Sequence, residues 1–414
     1  MRWLQLKAAA LSLLGCVTVW AQPPSPRQPA PTVPVRSTAV AAAAVSASPE
    51  ARLIDIYRLI RAGDGRTALA RAEALTREVP NFQLAQLVYG DLLLSRLGRL
   101  NVLGDAPPEL ANLSPEQLAQ LRREALVRLS AISERPPANA LPREFVELPQ
   151  STAHAIAVDA SRSRLYLFEN SPQGMKLVAD HYVSVGRSGV GKKVQGDQRT
   201  PLGVYFITSR LDAAQLQPFY GTGALTLNYP NEFDRRQGKT GHGIWLHGVP
   251  PQNFARSPQS TDGCVVLANE DMRGLLRMVS PRTTPVVITS RIDWVSPVDL
   301  EDARADARSL VERWRQARSR GDLQQTLSFY SAQFANGSVD RIEWAKQVER
   351  DLRAAGGRES EIKQLSILTW REKSEVMVVT FGLVVKGQRT GQVKRQYWGK
   401  ESGQWKIFFE GVIG

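Results

Sequence analysis

The sequence contains few residues that bind metals or form disulfides. Among its 414 residues there are two cysteines, Cys16 and Cys264, and four histidines. These residues show none of the spacings that zinc sites use, so we expect no bound metal. If Cys16 is removed with an export signal, the mature chain keeps one thiol and can form no internal disulfide. A lone thiol in an oxidising compartment is either an inert buried residue or a reactive nucleophile.

A long hydrophobic run is also missing. Arg2 and Lys7 precede an apolar stretch at residues 8–21, and this stretch is too short to cross a bilayer. Its small-residue ending predicts a signal peptide over residues 1–21, cleaved before Gln22, and therefore an exported, periplasmic protein. Residues 13–16, Leu-Leu-Gly-Cys, resemble a lipobox, so a lipid anchor on Cys16 is the alternative.

No phosphate-binding loop is found. The segment GRSGVGKK at 186–193 carries glycine and lysine but lacks the P-loop pattern, and we expect no cofactor. Acidic residues are outnumbered, and the net charge of +13 suits an anionic neighbour such as a cell wall. A basic protein with scattered arginines explains the same charge.

The first half of the mature chain changes from a linker to helices. Residues 22–49 are rich in Pro and Ala and predict a flexible linker. Residues 50–149 have helical periodicity up to about Leu100 and again at 113–133. The stretch 67–94 resembles a tetratricopeptide repeat, but about three repeats are needed for independent stability. A helical cap on the following domain is therefore an equal alternative.

From Ala153 onward the apolar pattern alternates with a period of two. Eight short strand-like segments and one helix over 269–279 predict a mainly β sandwich or barrel at 150–291. The tail at 299–414 predicts helices first and an antiparallel sheet afterwards, which makes a separate α+β domain. Its expected helices cover 299–320, 322–334 and 340–355, and its expected strands cover 361–371, 374–386, 391–400 and 404–411.

Candidate chemistry is concentrated in residues 241–271. His247-Gly248 ends one predicted strand, and Thr261-Asp262-Gly263-Cys264 opens the next. An imidazole near a thiol stabilises the thiolate, which is the reactive form. A glycine before the cysteine permits a tight turn, so the N–H groups of Gly263 and Cys264 could face an oxyanion. These residues predict a Cys264–His247 dyad, with a buried structural cysteine as the alternative.

The same segment resembles the YkuD-type L,D-transpeptidase domain. That family has His-Gly, about fifteen residues, and then Ser/Thr-His-Gly-Cys, to which His247-Gly248 and residues 261–264 correspond. Gly196-Asp197 with residues 200–205, and LNYPNEFD at 227–234, match further segments of the family, so the resemblance covers about residues 150–291.

The resemblance implies a role for each residue. Cys264 would attack the carbonyl at the L-centre of meso-diaminopimelate in peptidoglycan stem peptides and expel D-alanine. His247 would serve as the base, oriented by the backbone carbonyl of Gly248. An amine would resolve the thioester to form a cross-link, whereas water would make the enzyme an L,D-carboxypeptidase or amidase. The remaining candidates, which would bind substrate, are His242, Tyr229, Asn231, Thr261 and Asp262.

Two positions depart from the family pattern. Asp262 replaces the common histidine, and Val266 replaces a frequent arginine. Both changes resemble a branch with cell-shape carboxypeptidases and enzymes that act on wall-attached lipoprotein, so the reaction and the acceptor stay open. An unpaired carboxylate at Asp262 would also disfavour the thiolate. A non-catalytic wall-binding scaffold is the alternative of another class.

The other histidines carry weaker predictions. His242 lies five residues before His247, which places them on opposite faces of an unbroken strand and makes a poor metal pair. A bulge at Gly243 would bring His242 toward the site. His154 and His181 lie in strand patterns and are expected to be structural.

The tail resembles the cone-shaped nuclear-transport-factor-like (SnoaL-like) domain. The resemblance rests on a hairpin at 396–411 and on helical positions Trp314, Asp322, Leu327, Tyr330 and Phe334. We expect the helical and C-terminal domains to bind substrate, wall-attached lipoprotein or other wall proteins, but no nucleic acid, and to perform no chemistry.

Overall fold

The computed structural model describes residues 48–105, 113–371 and 374–413. The predicted signal peptide and all but the last residues of the predicted linker lie outside this part of the chain. Within it, no helix is both long enough and apolar enough to cross a membrane.

Four helices form the N-terminal module of the described chain: α1 Pro49–Arg61, α2 Gly65–Glu78, α3 Gln83–Leu94 and α4 Pro115–Ser133. Side chains of Ser48, Asp64 and Ser114 cap three of the N-termini by accepting backbone N–H groups. The third helix ends three residues before Leu97, which is 88% exposed. The apolar core of the module includes Phe254 and Ala268 from the next domain, so these helices cap that domain.

The middle of the chain is built from short strands. Its elements are β1 Leu141–Pro142, β2 Phe145–Glu147, β3 His154–Asp159, β4 Arg164–Ser171, β5 Gly174–Gly186, β6 Gly203–Asp212, β7 Gly223–Leu227, α5 Glu232–Arg236, β8 Trp245–His247, β9 Gln259–Thr261, β10 Val265–Leu267, α6 Asn269–Met278, β11 Pro285–Thr289 and β12 Trp294–Val295.

The central sheet closes on itself. Its order is β10-β8-β7-β6-β11-β3-β4-β5-β9, and β10 also pairs with β5. Eight strands of the described chain therefore form a ring, and β9 is added beside β5. All eight correspond to the strand-like segments of the sequence, while β9 was not predicted. A barrel, one of the two predicted alternatives, is the arrangement found.

The C-terminal part matches the predicted order of helices followed by sheet. It contains α7 Glu301–Ser319, α8 Leu323–Ser328, β13 Ala335–Asn336, β14 Val339–Asp340, α9 Arg341–Ala355, β15 Ser360–Arg371, β16 Glu375–Val385, β17 Gln392–Glu401 and β18 Gln404–Val412. Two details differ from the prediction: the helix expected over 322–334 ends at Ser328, and the small β13–β14 hairpin was not expected.

One predicted boundary is wrong. The helical module was expected to extend to residue 149, but β1 pairs with β12, and β2 pairs with β15 at the edge of the C-terminal sheet. The short apolar strands at 141–147 had no alternation long enough to reveal them. The barrel and the C-terminal sheet also share one core, because Leu368, Trp370 and Tyr397 belong to the barrel's apolar cluster.

Candidate active site

Parallel pairing of β8 and β10 brings Cys264 and His247 together. Val265 lies opposite Leu246, and Val266 lies opposite His247. Leu246 and Val265 are fully buried in the barrel core. Because side chains alternate along a strand, His247 and Val266 share the other face, and Cys264, two residues before Val266, shares it too. The thiol and the imidazole are therefore diagonal neighbours on the face away from the core.

The orientation of His247 is fixed by the residue that follows it. Its Nδ1 lies 2.7 Å from the carbonyl oxygen of Gly248. A carbonyl can only accept, so Nδ1 carries the proton, and in the neutral ring Nε2 is left as an acceptor. A side chain at Gly248 would collide with the Asn269 amide, since a Cβ there would lie 2.2 Å from Oδ1.

Asn269 holds the segment that carries this carbonyl. Its Oδ1 accepts the N–H groups of Thr222 and Val249, at 3.1 and 3.2 Å, and its Nδ2 donates to Val249 O at 2.9 Å. Asn269 begins α6, and a polar residue at a helix start is an ordinary sequence feature, so nothing in the pattern identified its role.

Burial acts on both members of the dyad in favour of their neutral forms. It lowers the pKa of His247 to about 4, aided by the nearby positive charge of Arg256. Burial also raises the pKa of the Cys264 thiol, although the Trp245 N–H and Arg256 act in the opposite direction. At neutral pH the thiol and the imidazole are therefore both neutral, and the imidazole stays unprotonated well below pH 6.5.

The turn before Cys264 is held by Thr261. Its hydroxyl donates to the carbonyl of Cys264 at 2.7 Å and accepts the N–H of Gly263 at 3.1 Å. The Gly263 N–H is therefore occupied, which corrects the expectation that it faces an oxyanion. Gly263 has φ +127°, and a Cβ there would lie 2.8 Å from Arg199 O, so the turn requires glycine. Thr261, a predicted substrate-binding residue, makes both of its hydroxyl contacts with backbone atoms and so fixes the turn.

Asp262 points away from the buried turn. Its side chain is 69% exposed and forms an ion pair with Arg187 at 2.7 Å. The sequence raised the concern that an unpaired carboxylate would suppress the thiolate. Arg187 supplies the partner, although Asp262 still acts to raise the pKa of Cys264.

His242 lies outside any strand. Strand β8 begins only at Trp245, so the expectation that His242 and His247 occupy opposite faces of one strand does not apply. Gly243 adopts φ +74°, and its carbonyl lies 3.5 Å from Cys264 Sγ. It is this carbonyl that contacts the thiol, while the His242 side chain is exposed.

Two predicted substrate residues have structural contacts instead. Asn231 is buried, caps α5 through the N–H of Asp234, and donates its amide to Val204 O at 2.9 Å. The Tyr229 hydroxyl donates to Thr240 O. Tyr229 and Asn231 line a cavity of about 290 Å³ that also includes Arg395 and Tyr397 of the C-terminal sheet. The structure does not bring Tyr229 or Asn231 into contact with the dyad.

Aromatic rings that the sequence did not single out surround the imidazole. The rings of Tyr220 and Phe219 have centroids 5.0 and 5.9 Å from that of His247, and Trp245 lies 5.0 Å from Tyr220. Phe219 and Tyr220 lie in a short 3-10 helix before β7, far from the motif in sequence. Trp245, two residues before His247, was the one of the three that strand alternation could have identified.

Arg256 is the second group that the sequence did not identify. Its guanidinium lies 4.4 Å above the ring of Phe219. Arg256 and Phe219 line a cavity of about 440 Å³ whose other wall is supplied by α3 and α4, including Gln83, Gln120 and Leu121. The helical module therefore lines the cavity that also contains Arg256 and Phe219.

The described residues contain no group of three His, Cys, Asp or Glu side chains that could hold a metal ion. His181 binds Asp271 at 2.9 Å, and His154 begins β3. Asp197, from the predicted Gly-Asp motif, pairs with Lys192 at 2.8 Å, and this lysine and three backbone N–H groups lower its pKa to about 2. That motif folds the loop beside Cys264.

Family models match two parts of the chain. Residues 153–288 match the L,D-transpeptidase catalytic domain, YkuD, and residues 306–411 match the Cds6 C-terminal NTF2-like domain. Both domains expected from the sequence are thus confirmed. No curated protein sequence matches the chain.

Two solved structures are similar to this chain over about two thirds of its length. Bd1075 from Bdellovibrio bacteriovorus is 26% identical, with a TM-score of 0.57 over 66% of this chain and 98% of its own. The helical cell shape determining protein Pgp2 from Campylobacter jejuni is 20% identical, with a TM-score of 0.52 over 70% of this chain and 99% of its own. The likeness to Pgp2 shows a common fold.

Proposed function

We propose that this chain, which carries an L,D-transpeptidase catalytic domain followed by an NTF2-like domain, is a peptidoglycan L,D-transpeptidase. The observation that carries the proposal is the position of Cys264 on the same face as His247, whose Nδ1 is held by the Gly248 carbonyl. A positioned thiol with an adjacent neutral base is the arrangement that acyl transfer requires.

The reaction follows from these contacts in two steps. His247 Nε2 takes the proton of the thiol as Sγ attacks the carbonyl at the L-centre of meso-diaminopimelate. The C–N bond then breaks, the amine of D-alanine leaves with the proton returned by His247, and a thioester remains on Cys264. In the second step an amine attacks the thioester carbonyl and His247 takes its proton, after which the C–S bond breaks and His247 returns the proton to Sγ.

Proton transfer from thiol to imidazole is unfavourable in the empty site. The raised pKa of Cys264 and the lowered pKa of His247 both oppose it. Proton removal is therefore coupled to attack on the substrate rather than completed beforehand. Such a resting thiol is protected from chance oxidation, because the thiolate is the species that oxidants attack.

Transfer and hydrolysis begin from the same thioester, and a product analysis separates them. Purified disaccharide tetrapeptides should be incubated with the mature chain and resolved by mass spectrometry. Cross-linked dimers are the expected products. Tripeptides without dimers would show that the enzyme is an L,D-carboxypeptidase and not a transpeptidase. If no stem peptide changes, the proposal is rejected.

We further propose that the chain acts on the cell wall after export directed by residues 1–21. Its charge of +13 supports binding to an anionic wall. Fusion of residues 1–25 to a reporter that is active only after export would test this, with Arg2→Glu combined with Lys7→Glu as the variant expected to block it.

A further inference from the structure

Arg256 stands out among the charged groups around the nucleophile. Two cations act on the Cys264 thiol, Arg256 and Lys192. Lys192 is buried and bound to Asp197 at 2.8 Å. Arg256 forms no ion pair with a carboxylate of the described residues, and Asp262, whose charge acts on it, is already bound to Arg187. The site thus contains one cation without an anionic partner.

The position of Arg256 is fixed from several directions. Its carbonyl accepts the hydroxyls of Tyr182 and Ser184, at 2.8 and 2.9 Å. Its guanidinium is half-buried against Phe219, whose ring lies 5.9 Å from that of His247. A guanidinium that is held in place beside a nucleophile but left without a partner is suited to bind a carboxylate of a ligand.

The helical module holds the loop that carries this arginine. Phe254 stacks on Phe82 with ring centroids 4.0 Å apart, and its N–H donates to Asn81 O at 3.1 Å. On the other side of Arg256, the Ser257 hydroxyl lies 3.1 Å from Gln120 Oε1. The loop is therefore anchored on both sides of the guanidinium, by the residues that precede α3 and by α4.

Activation of the dyad does not explain this placement. The charge of Arg256 lowers the pKa of His247 and also that of Cys264. A charge that acts on donor and acceptor in the same direction gives little net help to proton transfer between them. Binding of an anionic group of the substrate is a role that fits the fixed position of Arg256 and its lack of an anionic partner.

The proposed reaction supplies a carboxylate at the right place. The residue expelled from the stem carries a free α-carboxylate on the carbon next to the leaving nitrogen. Counted along the covalent bonds, this carboxylate is the one in the stem peptide that lies nearest to the scissile bond.

We propose that Arg256 binds the α-carboxylate of the expelled residue, so that the site selects peptides that end one residue beyond the scissile bond. This inference rests on the proposed function and adds a specificity-determining residue to it. Stems that are longer, or whose terminus is amidated, lack a carboxylate at this position and react slowly. The ion pair forms on binding and is released with the leaving amino acid, and no other reactant is needed.

A pair of substrates that differ only at the terminus tests the inference. Release of D-alanine from a disaccharide tetrapeptide is compared with release of D-alaninamide from its C-terminal amide, using the full mature chain. We expect the wild type to prefer the acid by about 10–10² in kcat/KM, the usual value of a charge-assisted contact. Arg256→Ala should remove this preference through loss of the acid rate, leaving the amide rate within about threefold. Arg256→Lys should keep part of the preference.

Arg187→Ala combined with Asp262→Ala is the matched control, because the two changes remove a neighbouring ion pair together and leave no unpaired carboxylate beside Arg256. The ratio of acid to amide rates should not change in this variant. Circular dichroism and alkylation of Cys264 by iodoacetamide show whether each variant keeps its fold and an accessible thiol.

Two results overturn the inference, and they are distinguishable. Equal losses for acid and amide in a folded Arg256→Ala protein would show that Arg256 acts on the oxyanion or on the loop, while the proposed function stands. If the wild type releases neither product although iodoacetamide still alkylates Cys264, the proposed function fails and the inference fails with it.

Discussion

The Nδ1 atom of His247 lies 2.7 Å from the carbonyl oxygen of Gly248, the residue that follows it in the chain. This contact replaces the carboxylate that orients the histidine in serine triads. A carbonyl fixes the tautomer but adds no negative charge, so it does little to stabilise an imidazolium. Its effect on the pKa of His247 is smaller than the opposing effect of burial, which leaves that pKa at about 4.

Removal of the base should slow the chemistry without unfolding the protein. His247→Ala is expected to reduce acylation of Cys264 by about 10²–10⁴, the usual contribution of a positioned acid or base. Stopped-flow or quenched mass measurements of the acyl-enzyme give the rate. His154→Ala, which removes a histidine at the start of β3, is the control and should change it little. A folded His247→Ala protein with the wild-type rate would exclude His247 as the base.

The pH dependence of the free site should reflect two neutral groups. As pH falls, His247 becomes protonated only near pH 4, so the acid limb of kcat/KM should lie near pH 4 and not near 6.5. As pH rises, the thiolate of Cys264 forms only above the usual range of a thiol, because its pKa is raised. Iodoacetamide alkylation should therefore keep increasing with pH through neutrality. A plateau between pH 5 and 8 would instead show a preformed thiolate–imidazolium pair.

Cys264 should be the residue that a carbapenem acylates. It is the one cysteine that remains if residues 1–21 are removed, and it is half-buried. Intact-mass measurement should show one adduct on the wild type and none on Cys264→Ala. An adduct that persists in the variant would place the nucleophile elsewhere.

Asp262 should be dispensable for the chemistry. Its side chain is exposed and bound to Arg187, so Asp262→His, which restores the residue common in the family, should leave the acylation rate within about tenfold. Asp262→Ala should likewise leave the acylation rate within about tenfold, and removal of the carboxylate charge should slightly favour the Cys264 thiolate. A folded but inactive Asp262→Ala protein would mean that the carboxylate takes part in the reaction.

The sequence predicted the elements that have a regular pattern. The eight barrel strands appear in the sequence as short apolar segments between turn residues, and the motif around His247 and Cys264 lies where β8 ends beside the start of β10. The C-terminal helices and strands were found for the same reason. Strands β3, β10 and β11 are buried along nearly their whole length, so their short apolar runs, and not alternation alone, identified them.

Contacts made across the domains could not be predicted in this way. Strand β2 has three residues and joins a sheet whose other members lie more than two hundred residues later. Arg256 lies in an irregular loop, and its significance depends on Phe219 and on helices α3 and α4. The contact between the helical module and this loop could not be predicted, because a loop sequence does not show which helices hold it.

The stacking of Phe82 on Phe254 offers a test of that attachment. Phe82→Leu keeps most of the apolar volume but removes an aromatic pair, so the free energy of unfolding should fall by about 1 kcal/mol. The loop that carries Arg256 should become less well fixed, and kcat/KM for tetrapeptide release should fall severalfold. Phe334→Leu is the matched control, since Phe334 is buried and stacks on Trp344 at 4.9 Å within the C-terminal domain. It should cost similar stability, measured by urea unfolding, and leave kcat/KM unchanged. If both variants slow the reaction equally, the loss reflects general destabilisation, and the helical module does not position the loop for catalysis.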